Sequence, residues 1–243
     1  MKTLVFLFFL PWLAVAQQPR TITVQSIDMS TNSRPYEVVP MSAFVSASEL
    51  RVPARARKEF EKANESLSKD DLDQALRRLK KAVSLYPDYA SAYNNMGVVY
   101  ARLGEPAPER EALQRAVGLN DHFALAYLNV GRMEIAAGDF PDSVTALHKA
   151  LALDAGNATT LILLAYAELE QGQSEEAIAI SRKAHALPKP HAFAHRVAAR
   201  AFVHEKQISQ AVSELQVSLD EEPTGPRADA VRTELKVLKT ALH

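Results

Sequence analysis

Cysteine is absent from all 243 residues, which excludes disulfide frameworks, thiolate zinc sites and thiol nucleophiles. Aromatic residues make up only 7%, so stacked rings cannot supply the core, and aliphatic and small side chains must pack it. Glycine is scarce, with eight residues, and none falls in a phosphate-loop, dinucleotide-binding or nucleophile-elbow frame. A surplus of either charge is missing as well: 28 Lys plus Arg stand against 29 Asp plus Glu, for a net charge of -1. Without a basic excess to meet a phosphate backbone, nucleic acid is not an expected partner. What remains is 47% hydrophobic and 23% charged, the balance of an ordinary globular chain.

The N-terminus reads as an address. Residues 1–16, MKTLVFLFFLPWLAVA, join one lysine, an apolar run from Leu4 to Leu13 and a small-residue A-x-A-like end at Ala16, the pattern of a secretory signal peptide cleaved before Gln17. The apolar run contains Pro11 and is too short for the roughly 20 residues of a transmembrane helix, so no stable membrane span is expected after cleavage. The expected location is periplasmic or secreted. Residues 17–55 carry four prolines (Pro19, Pro35, Pro40, Pro53) and no sustained helical period, as an extended leader would. An exported chain without disulfides must draw its stability wholly from packing.

That packing is periodic. Gly104, Gly138 and Gly172 are 34 residues apart, as are Gly97 and Gly131. A frame starting at Ala56 gives five units without insertion or deletion, 56–89, 90–123, 124–157, 158–191 and 192–225, beginning at Ala56, Ala90, Ala124, Ala158 and Ala192. The eighth place holds Ala63, Gly97, Gly131, Ala165 and Ala199, and the twenty-seventh holds Ala82, Ala116, Ala150, Ala184 and Ser218. The twenty-fourth place holds Leu79, Leu113, Leu147, Ser181 and Leu215. Each unit reads as two helices, broken in the third at Gly138 and Asp139, and small residues at fixed places let the axes approach to the short end of about 8–10 Å. One pair cannot bury its own apolar face, so the pairs must stack. Residues 226–243 form an amphipathic capping helix, with Ala228, Val231, Leu235 and Leu238 on one side.

These columns, with Tyr93, Met96, Gly97, Tyr100 and Ala116 in the second unit and Ala75, Leu79, Ala82 and Pro87 in the first, resemble the tetratricopeptide repeat family over residues 56–225. The second unit departs from the pattern in carrying Glu109 where alanine is usual, and Pro106 and Pro108 at its turn. The resemblance implies an all-α, right-handed α-solenoid of five helix-turn-helix repeats whose concave face is lined by first helices and holds a peptide or protein segment. By the same resemblance, Asn64, Asn94, Asn95, Arg102, Asn129, Arg132, Tyr166, Arg196 and Arg200 point into that groove. Amides donate to and accept from an extended backbone, and arginine forks suit carboxylates. Chaperone-binding relatives clamp a C-terminal carboxylate with two asparagines and three basic residues. Asn64 and Asn95 match the asparagine places, but the basic places hold Phe60, Leu125 and Asn129, so that activity is not carried over.

No catalytic motif competes with this reading. His191 and His195, four apart near a helix start, have a spacing compatible with two metal ligands. No third ligand follows at a motif spacing, and His195 takes a place used for packing, so neither metal nor cofactor is expected. The expected function is a non-enzymatic scaffold for a protein or peptide partner. The alternative is a structural accessory subunit of an envelope or secretion assembly, acting through the convex face or the leader.

Overall fold

The computed structural model describes residues 51–188 and 191–242. The segment read as a signal peptide and most of the leader lie outside the described residues. Among those described there are eleven helices and no strand: α1 (Ala54–Ser68), α2 (Leu72–Leu85), α3 (Ala90–Leu103), α4 (Pro106–Leu119), α5 (Ala124–Ala137), α6 (Phe140–Leu153), α7 (Ala158–Glu170), α8 (Ser174–His185), α9 (Ala192–His204), α10 (Ile208–Glu221) and α11 (Pro226–Ala241). Helix α1 starts two residues inside the segment read as leader, and Val52 ahead of it is buried.

Local chemistry sets the breaks. Asp71 and Asn157 accept the backbone N–H groups of Gln74 and Thr160 and so cap α2 and α7, satisfying donors that a helix start leaves open. Gly104 and Gly138 end α3 and α5 at φ 73° and 78°, the left-handed conformation that glycine adopts without penalty. Pro106 is the first residue of α4, where its missing N–H costs no helical bond. The departure at that turn is therefore a helix start.

Within each unit the first helix packs against the second. A Cβ built on Gly97 would lie 2.6 Å from Leu113 Cγ, and one on Gly131 would lie 2.5 Å from Leu147 Cγ. Glycine is thus required at both places by the leucine opposite. Leu79, Leu113, Leu147 and Leu215 are 0–1% exposed, and the alanines of the twenty-seventh place are equally enclosed. Ser143, where alanine is usual, donates its hydroxyl to the Gly131 carbonyl at 2.9 Å, which allows a polar atom in the core. Helix α11 buries Ala228, Val231, Leu235 and Leu238 and packs on α10.

Successive pairs stack in one direction. Helix α3 touches α5, α5 touches α7 and α7 touches α9, whereas no two second helices make a comparable contact. The first helices are therefore the crowded, inner row of a curved solenoid, and the second helices are its outer row.

Candidate functional site

The inner row is polar at its N-terminal end in an ordered way. Asn95 on α3 donates to Asn64 Oδ1 on α1 at 2.9 Å, Asn94 donates to Asn95 Oδ1 at 3.1 Å, and Asn129 on α5 donates to Asn94 Oδ1 at 2.9 Å. This chain of amides links three first helices. Asn94, Asn95 and Asn129 are 0% exposed, so they have a bracing role that sequence reasoning did not assign. Removing one member strands its neighbours' buried amide groups, a loss of about 1–3 kcal/mol. Asn94→Ala is therefore expected to lower unfolding stability by that amount in a denaturant titration. A midpoint equal to that of the wild type would remove the brace.

The arginines differ more from expectation. Read from sequence as forks for an incoming carboxylate, three of them already hold one. Arg102 pairs with Asp70 in the turn before α2, Arg196 with Glu222 at 3.2 Å and Arg200 with Glu170 at 2.6 Å. Arg132 is half-buried on α5, next to Gly131. Tyr166 is 7% exposed between the rings of Phe140 and Phe193. Burial, together with Glu170, raises its phenol pKa. Phe60, at one of the clamp's basic places, packs its ring 5.0 Å from that of Tyr89, so no carboxylate clamp forms there.

Glu170 and Glu234 were missed. Glu170 stands at the thirteenth place of its unit, a groove place by the same rule that selected Arg102. Glu234 lies on α11, outside the repeat frame. Burial drives its carboxyl pKa up to about 7 against the opposing pull of Arg200 and Arg196. Burial likewise works against the charge on Arg196. The C-terminal end of the row thus holds two ion pairs, Arg196–Glu222 and Arg200–Glu170, with the Glu234 carboxyl near both arginines.

The first helices after α1 share a composition with α4 of the outer row. Helices α3, α5, α7 and α9 contain no lysine and no aspartate, and their charged residues are four arginines and three glutamates. Lysine is present in α1, α2, α6, α8 and α11. Interfaces between proteins are depleted in lysine and aspartate and enriched in arginine.

Family models described as TPR repeat or tetratricopeptide repeat match residues 63–104, 90–123 and 134–184. No curated protein matches the sequence. Among solved structures, the MamA protein is similar at TM-score 0.62 and 22% identity, covering 70% of this chain and 92% of that one. PilW, a type IV pilus biogenesis factor, is similar at TM-score 0.67 and 16% identity over 78% of this chain and 93% of its own. YrrB, described as having an unusual peptide-binding site, is similar at TM-score 0.62 and 18% identity over 73% and 92%. At these identities the likeness is one of fold.

Proposed function

The chain belongs to the tetratricopeptide repeat family, and from that premise we propose that it is an exported scaffold holding a segment of a partner protein along its inner row of first helices. Proteins of this fold are in general interaction scaffolds rather than enzymes. The observation that carries the reading is the composition of α3, α5, α7 and α9. Beyond α1, these four first helices carry arginine and glutamate as their only charged residues, with no lysine, the bias of a protein interface rather than of a merely solvated face. The row's arginines are held in place by ion pairs on helices braced by the amide chain, so a ligand meets side chains with little entropy left to lose on binding. The peptide-binding site of the YrrB protein is consistent with this use of the fold. The signal-like residues 1–16 support export, with Gln17 as the new N-terminus.

The arginine pairs narrow the ligand. With Arg102, Arg196 and Arg200 each holding an internal carboxylate, the groove is suited to an extended segment with its own donors and acceptors rather than to a free carboxyl terminus. The test is recovery of the partner from the protein's own envelope extract with the full chain as bait. Arg102→Ala/Arg132→Ala is expected to reduce recovery at least about tenfold, equivalent to roughly 1.4 kcal/mol, with the melting curve unchanged. Recovery that survives this change but is lost on deleting residues 17–50 would instead establish the second reading, an accessory subunit working through its leader. That reading draws on the PilW likeness.

A further inference from the structure

The joint between the fourth and fifth helix pairs brings together three donor atoms that the groove does not use. His185 is the last residue of α8, His195 lies in the first turns of α9, and Glu221 is the last residue of α10. One ligand atom from each lies within 4.8 Å of the other two. His195 Nε2 is 2.8 Å from His185 Nδ1 and 3.8 Å from Glu221 Oε1. We propose that this cluster binds a divalent metal ion of the zinc class, with His185 Nδ1, His195 Nε2 and Glu221 Oε1 as protein ligands and solvent completing the shell.

Both inner ligands are already oriented. His195 Nδ1 lies 2.6 Å from Glu214 Oε2; an ionised carboxylate can only accept, so the proton sits on Nδ1 and the Nε2 lone pair faces the cluster. A carboxylate behind a ligating imidazole in this way fixes ring and tautomer. Glu221 accepts the backbone N–H of His191 through Oε2 at 2.9 Å, which turns Oε1 toward the histidines. His195 is 5% exposed, while His185 is exposed and leaves a path for an ion. Two imidazole nitrogens and a carboxylate oxygen are all electron-pair donors. A proton satisfies one pair of them at a time; one cation satisfies all three. Zn–N bonds of about 2.0–2.1 Å place tetrahedral donors roughly 3.4 Å apart, so the 2.8 Å contact between the histidines has to open and the 3.8 Å His195–Glu221 contact to close, each by about half an ångström.

The repeat offers an internal comparison that points the same way. His185 stands at the twenty-eighth place, where the other units hold Val83, Val117, Leu151 and Leu219. Glu221 stands at the thirtieth, where the others hold Leu85, Leu119, Leu153 and Leu187. His195 is at the fourth place and Glu214 at the twenty-third. In the first unit the same two places hold the ion pair Glu59–Arg78, 2.9 Å, and in the three middle units they hold Tyr93 and Ala112, Tyr127 and Ala146, and Leu161 and Ile180. A polar fourth–twenty-third pair therefore marks an end unit. His185 and Glu221 are the additions beyond it: two otherwise apolar places become donors in one joint, on either side of His195.

The experiment is calorimetric titration of the metal-free full chain with Zn²⁺ alone. One ion per chain is expected to bind, and Zn²⁺ should raise the melting temperature in proportion to the logarithm of its concentration. His185→Gln, at an exposed position, and Glu221→Gln should each weaken binding at least tenfold. Glu214→Gln, acting only through His195, should weaken it about 10–100-fold. His122→Gln, exposed and remote, should leave binding unchanged. Absence of one-to-one binding, or binding that is the same in His185→Gln and Glu221→Gln as in the wild type, would overturn the site. Circular dichroism of each metal-free variant verifies that it is folded before its titration is interpreted.

Discussion

Gly131→Leu is expected to destabilise the protein by about 3 kcal/mol, the upper end of overpacking costs, and to lower its melting temperature by roughly 6–12 °C at this size. The cause is local and directional. A Cβ at position 131 would sit 2.5 Å from Leu147 Cγ and 2.6 Å from its Cδ2. Leu147 has no exposed surface into which it could turn, so relief requires the axes of α5 and α6 to move apart. That movement would pull Ser143 from the Gly131 carbonyl, a 2.9 Å bond. Gly131→Ala sets two effects against each other: the same clash at Cβ, and a helix-propensity gain of up to about 1 kcal/mol. The clash wins, because the built contact is closer than packed carbon atoms tolerate. Leu147→Ala alone should cost about 2–5 kcal/mol by leaving a cavity. In the double variant the alanine at 131 enters part of that cavity, so the combined loss should fall short of the sum of the single losses by roughly 0.5–3 kcal/mol. An unchanged melting temperature for Gly131→Leu, or strictly additive losses in the double variant, would refute the packing.

The first and fifth units explain why this glycine is not universal. Ala63 and Ala199 face Leu79 and Leu215 at the same two places, and all four are 0–1% exposed, so an alanine can be accommodated where the whole unit is built around it. The rule visible in sequence is therefore smallness at the eighth place, and the need for glycine in particular arises from the spacing of one helix pair.

This distinction also marks how far the sequence reaches. A 34-residue period without insertions is legible because close helix contacts demand small residues at fixed places, and five repeats of those columns specify five helix pairs. The capping helix was equally legible, since Ala228, Val231, Leu235 and Leu238 repeat on one face and all are buried. The site was legible only in outline. Sequence reasoning ranked arginines and asparagines by their own chemistry, whereas their state depends on residues about one repeat away: Asp70 for Arg102, Glu170 for Arg200, Asn64 for Asn95. Such partners become visible only when one unit is laid beside the next. The histidines show the same effect. His191 was paired with His195 by helical spacing, but the imidazole that meets His195 is His185, because an antiparallel turn sets the end of α8 beside the start of α9. His191 contributes its backbone N–H instead.

Glu234 supplies the second large effect, and its sign is opposite to that of a typical carboxylate. Its pKa rises from 4.5 to about 7 because burial disfavours the ionised form more than Arg200 and Arg196 favour it. An acid with a raised folded pKa binds its proton more tightly in the folded state than in the unfolded one. Its contribution to stability is therefore fully present below about pH 4.5 and is lost as pH rises through about 7. A shift of this size corresponds to roughly 3 kcal/mol. Glu234→Gln keeps the shape and removes the titration, so it should stabilise the protein at pH 8 by up to about 3 kcal/mol and leave it unchanged at pH 4. The informative measurement is the difference in unfolding free energy between wild type and variant at several pH values, because other groups titrate equally in both and cancel. A difference that grows between pH 4.5 and 7 and is flat above identifies Glu234 as the source. A flat difference throughout would mean that water reaches the carboxylate and that the Arg196–Arg200 end of the groove is open at α11. A difference of the opposite sign would mean that the two arginines outweigh burial, and that Glu234 closes the row as a third ion pair rather than as a neutral acid.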